Sequence, residues 1–194
     1  MDQRFEADRS NVIQLLNWGD QLTQQFQSQY NHSVNQVESL QSIHQQYVNL
    51  SNRLKGSDGS VTGNPSISEQ DQIQALNQSN ENLLESIRQS LGSLESTVDQ
   101  ISELLLKVDI FLSEPTQGAS IGFDPLNAFR HLSEMFSAYQ AELLSKRELF
   151  SSFSCEEIDV KTFVEGWKTC DEIKALTRET MEDLADVMTA AWST

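Results

Sequence analysis

Between Val12 and Leu54 an apolar residue returns at every third or fourth position, through Leu15, Trp18, Leu22, Phe26, Tyr30, Val34, Val37, Leu40, Ile43, Tyr47 and Leu50. Twelve steps cover 42 residues, a mean of 3.5. That is the heptad period, which keeps an apolar seam turned toward a partner as helices supercoil. A surface helix on a compact globule would drift toward 3.6. One helix of about 45 residues is roughly 65 Å long, more than a chain of 194 residues can wrap as a globule. Gly19-Asp20 is the place where it is expected to kink or break, since Gly costs about 1 kcal/mol against Ala in a helix.

The stretch Gly56 to Pro65 holds Gly56, Gly59 and Gly63 and ends the pattern, so it is read as a flexible loop. Ser66 and Glu69 have capping-box spacing, each side chain satisfying a free backbone N–H at a helix start. A second seam then runs Ile73, Leu76, Asn80, Leu83, Ile87, Leu91, Leu94, Val98, Ile101, Leu105, Val108, ten steps over 35 residues. Asn80 is its one polar member. A buried Asn at a seam costs stability and can fix register and partner; a solvated position near the helix start is the plainer reading. Two such helices joined by a loop fold back as an antiparallel hairpin, and a partner chain could complete the bundle.

Pro115, Gly118 and Gly122 mark residues 113–124 as a linker. Asp124-Pro125 supplies an N-cap and a proline at the first helical position. The third helix carries Leu126, Phe129, Leu132, Phe136, Tyr139, Leu143 and Phe150, with Lys146-Arg147 expected near its C-terminus, where cations favour the dipole. Ser154 and Glu157 repeat the capping-box spacing before a short helix with Ile158, Phe163 and Trp167, and Asp171 opens a last helix. The expected fold is therefore all-α: a long antiparallel coiled-coil helical hairpin over residues 1–112, a linker over 113–124, and a smaller aromatic-rich C-terminal helical module over 125–194.

The formal net charge is -16, and it is spread along the chain. Nucleic-acid binding needs clustered Lys and Arg to displace phosphate counterions, and the densest basic cluster is Lys146-Arg147. Direct nucleic-acid or anionic-membrane binding is thus not expected, and no apolar run approaches the roughly 18 residues of a membrane span. Cys155 and Cys170 have no second Cys pair or His cluster beside them and are read as reduced thiols. No phosphate-cradling Gly loop occurs. His32, His44 and His131 are scattered, and His131 with Glu134 on one helix face is read as a solvated or capping pair. The reading is a non-enzyme without metal or cofactor. Arg130-His131-Leu132 and Arg147-Glu148-Leu149 have cyclin-docking spacing, but their leucines fall where a helix should be packed. No Ser-Pro or Thr-Pro occurs, so a proline-directed kinase has no ordinary target.

The run AYQAELLSKR, Ala138 to Arg147, carries Tyr139, Glu142, Leu143, Lys146 and Arg147 in the order Tyr-x-x-Glu-Leu-x-x-Lys-Arg. Phe136 precedes it, and Ile158 and Trp167 follow. This run resembles the cyclin-dependent kinase 2-interacting protein family, a group of small nuclear helical adaptors. Leu15-Leu16-Asn17-Trp18 is similar to the family's early Leu-x-Lys-Trp segment, with Asn17 in place of the basic residue, and Leu83 to Val108 is similar to its Leu-rich coil. The resemblance implies a non-catalytic adaptor linking cyclin-dependent and Cdc7-type kinases to replication-origin proteins. It also implies a part in an ATR-type checkpoint complex, and work with an AAA ATPase and a second small helical protein in large-ribosomal-subunit maturation. The nucleus would be its main compartment, with the cytoplasm second.

Two candidate partner-binding surfaces follow. One is the paired seam, with Trp18, Leu22, Phe26, Asn80, Ile87, Leu91 and Leu94, where each apolar side chain contributes about 1.5–3 kcal/mol when desolvated. The other is the C-terminal module, with Tyr139, Glu142, Lys146, Arg147 and Trp167; core packing or a solvated helix end is the bland reading of these. A structural subunit of an unrelated kinetochore, tethering or microtubule assembly, and a self-associating homodimer, are the rival readings.

Overall fold

The computed structural model describes residues 3–56, 67–113, 125–170 and 173. Among them are four helices: α1 (Gln3–Gly56), α2 (Ile67–Ser113), α3 (Pro125–Ser154) and α4 (Val160–Lys168). The chain is all-α, a long helical hairpin of α1 and α2 followed by a smaller helical part. The expected caps Ser66 and Asp124, most of the loop and linker, and the last helix apart from Ile173 lie outside the described residues.

Packing gathers the chain into two compact units, Met1–Gln29 with Ser93–Ser145 and Cys170–Thr194, and Tyr30–Gly92 with Lys146–Thr169. Sequence order and packing thus divide the chain differently, because each unit takes a stretch of α1, of α2 and of α3. In unit 1, Trp18 meets Lys107 and Gln25 meets Thr97. In unit 2, Gln36 meets Ser86 and Ser90. The α2 number falls as the α1 number rises, which is antiparallel pairing.

Unit 1 is a three-helix arrangement. Val12, Leu16, Leu22 and Phe26 of α1, Leu94 to Val108 of α2 and Phe129 to Leu143 of α3 supply its buried side chains. The third helix widens the apolar face beyond a two-stranded seam. Leu16, Gly19 and Thr23 are therefore buried, while Trp18 and Leu15 on the expected seam are half-buried. On α2 the buried position is Leu104, with the expected Leu105 half-buried, and on α3 Met135 is buried while the expected Phe136 is half-buried. The helix does not break at Gly19, since α1 is continuous. The glycine instead admits a neighbour: a Cβ there would lie 2.5 Å from Leu132 Cδ2 and 3.5 Å from Leu104 Cδ2.

Unit 2 packs α4 and the end of α3 on the hairpin. Tyr30, Val37, Leu40, Ile87, Leu91, Phe150, Phe163, Val164 and Trp167 are buried there. Phe163 is its aromatic centre, with ring centroids 4.4 Å from Phe153, 5.2 Å from Trp167 and 6.3 Å from Phe150. The expected capping box at Ser154 and Glu157 does not form, because α3 runs to Ser154. Glu156 adopts φ 59°, Glu157 N–H donates to Ser152 C=O at 2.9 Å and Glu156 N–H to Phe153 C=O at 3.1 Å. This is a Schellman ending in which a glutamate takes the left-handed position that glycine usually fills. The cap of α4 is Asp159, whose carboxylate accepts from Thr162 N–H at 2.7 Å, and Ile158 precedes the helix.

Candidate partner-binding surfaces

In unit 1 the candidate residues are used within the chain. Phe26 and Tyr139 stack at 4.4 Å with an interplanar angle of 11°, and Leu22 and Leu94 are buried among the same three helices. Trp18 is half-buried, and Lys107 Nζ sits 4.3 Å from its ring centroid. Such a cation over an indole contributes about 0.5–1 kcal/mol at an exposed site. Thr97 is buried between the helices: its hydroxyl accepts from Gln25 at 3.1 Å and lies 2.9 Å from Gln29 Oε1. Outside this core, Leu106 is 61%, Ile110 55% and Leu144 51% exposed. Leu106 and Ile110, four apart on α2, share a helix face.

The run that carries the family resemblance has one inward face. Tyr139, Glu142, Leu143 and Lys146 recur at three- and four-residue spacing and are all buried, whereas Arg147 points to solvent. Lys146-Arg147 is therefore not a basic pair at a helix end. The two residues stand about two turns before Ser154, and α3 has no basic residue in its last turn.

Lys146 is 1% exposed, in unit 2. Its ammonium donates to the carbonyls of Thr169 at 2.7 Å and Gly166 at 3.1 Å, and lies 5.7 Å from the Tyr30 ring centroid. The last carbonyls of a helix lack intrahelical donors and carry partial negative charge. Lys146 therefore acts on the C-terminus of α4, the neighbouring helix, where the sequence suggested its own. Tyr30 adds a second donor, its hydroxyl to Trp167 C=O at 2.9 Å. The Trp167 indole N–H reaches Ser33 Oγ at 3.0 Å, and that hydroxyl donates to Tyr30 C=O at 2.7 Å. Lys146 and Trp167 are thus brought into one buried polar network, and Tyr30 and Ser33, which the sequence reading did not assign to a site, complete it. Tyr30 was visible only as a seam residue, and nothing local marks Ser33.

The remaining candidates are separate positions. Ile87 and Leu91 are buried core of unit 2, and Asn80 is half-buried on α2. Gln36 donates to Ser86 at 2.6 Å and accepts from Ser90 at 2.8 Å. On the rim, Lys168 reaches Glu38 at 2.6 Å, and the Arg88 guanidinium stands 5.6 Å from the Phe150 ring centroid. The Thr162 backbone N–H, then its side chain, hold the Asp159 carboxyl below the ordinary aspartate range, with smaller help from Lys161 and His44. His131 Nδ1 lies 3.6 Å from Glu134 in unit 1. No group of three or more His, Cys, Asp or Glu that could hold a metal occurs among the described residues. No family model, curated protein or solved structure matches the chain.

Proposed function

We propose that the chain is a non-catalytic adaptor subunit that links cell-cycle kinases to DNA replication and the damage checkpoint, and serves an AAA ATPase complex in large-ribosomal-subunit maturation. Its partners in this reading are a cyclin-dependent kinase and a Cdc7-type kinase, replication-origin proteins, an ATR-type checkpoint complex, and the ATPase with a second small helical protein. The nucleus is its main compartment. The observation that carries the reading is the Tyr139 to Arg147 run, whose Tyr139, Glu142, Leu143 and Lys146 are buried while Arg147 remains exposed. On α3 the run leaves Leu144 and Arg147 exposed, and on α2 Leu106 and Ile110 are exposed, helical faces that suit other helices.

Affinity purification of the tagged full chain from cells of its source tests this. The adaptor reading expects the AAA ATPase and replication factors to be recovered, and their recovery to fall when Leu106→Glu is combined with Ile110→Glu. Kinetochore, tethering or microtubule subunits in their place would support the structural-subunit reading and overturn the adaptor one.

A further inference from the structure

Within unit 2 the burial of the hairpin changes along its length. From Tyr30 to Leu40 and from Ile87 to Leu91 the apolar positions lie under α3 and α4, with Lys146 near Tyr30, Trp167 on Ser33, Lys168 on Glu38 and Phe150 against Arg88. Nearer the loop, Leu50 is the only buried residue among 43–54 and 68–84. Ile43, Ile73, Leu76 and Leu83 are half-buried there, and Tyr47 is 39% exposed. The apolar repeat therefore continues where its covering layer stops.

Charge narrows what can cover it. A molecule of net charge -16 repels its own copies over most of its surface. Residues 39–56 and 67–80 are an exception: Arg53 and Lys55 on α1 stand without an acid, and Glu69 and Asp71 on α2 without a base. The signs are separated by helix, so a two-fold contact that sets α1 of one copy against α2 of the other brings opposite charges together from both sides. Many of the exposed positions are uncharged amides, including Gln45 with Asn49 at 3.0 Å. Uncharged polar groups cost less to desolvate than charges.

We infer that this end of the hairpin is a self-association surface, where a second copy of the chain packs on Ile43, Tyr47, Ile73 and Leu76 to make a four-helix contact. Asn80, half-buried in the same stripe, is placed to fix its register. The inference stands independently of the adaptor reading. Sedimentation of the full chain is expected to show a monomer–dimer equilibrium with a dissociation constant of about 1–50 µM. Tyr47→Glu should weaken it by about tenfold or more while the helical circular dichroism is retained. Arg53→Glu and Asp71→Lys should each weaken self-association, and mixing the two variants should restore it as a heterodimer, because each contact then pairs opposite charges. The mixing experiment decides the matter if Tyr47→Glu disturbs the fold. A monomer at every concentration, a dimer indifferent to Tyr47→Glu in a folded chain, or no gain on mixing would overturn the inference.

Discussion

Lys146 shows how the position of a residue can be legible in the sequence while its contacts are not. Its spacing from Tyr139 places it on the inward face of α3, but the groups its ammonium bonds are the carbonyls of Gly166 and Thr169, some twenty residues away. Local sequence cannot show that a helix will end there. Lys146→Met removes the charged donor from two part-buried carbonyls, and should lower the stability of folding by about 1–3 kcal/mol in urea titration. Glu156 is a second such case. The sequence offered no glycine to mark the end of α3, and Glu156 occupies the left-handed region at a cost of about 1–2 kcal/mol. Glu156→Gly should therefore raise stability by about 1 kcal/mol in the same titration. Asp159 gives a pH signature. Its folded-state pKa is lowered, so the stability it contributes is present above the ordinary aspartate range and is lost as pH falls through the lowered value. Carbon-detected NMR titration should place its midpoint below that of a free aspartate, and Asp159→Asn should keep the cap while removing this part of the acid dependence.

At the scale of elements, the heptad spacing made α1 and α2 legible because burying a continuous stripe is a local demand with a single period. The helices extend where the seams lie, and their antiparallel pairing follows from the loop between them. The departures occur where a third helix changes which side is inside. Leu104 replaces Leu105, Met135 replaces Phe136, and Gly19 serves close packing in an unbroken helix. Gly19→Ala should gain about 1 kcal/mol of helix propensity, yet lose more to the clash with buried Leu132, for a net cost of about 1 kcal/mol in thermal or urea unfolding. The candidate sites were legible as positions more than as roles. Leu22, Phe26, Ile87, Leu91 and Leu94 lie on an apolar seam, and apolarity alone cannot say whether α3, α4 or a partner will cover it.

At the scale of the molecule, the chain itself supplies most of the layer that a partner chain was expected to provide. Each unit encloses its own side chains from three or more helical stretches; among the described residues, Leu106, Ile110 and Leu144 in unit 1 and the half-covered end of the hairpin in unit 2 are apolar surfaces open to others. Partner binding would then act on a folded subunit and would not be needed to create the fold. Far-UV circular dichroism of the full chain on dilution to about 0.1 µM, below the expected self-association range, tests that most directly. We predict unchanged helix content and a cooperative thermal transition at every concentration; a chain that loses its helices as it is diluted would contradict the account.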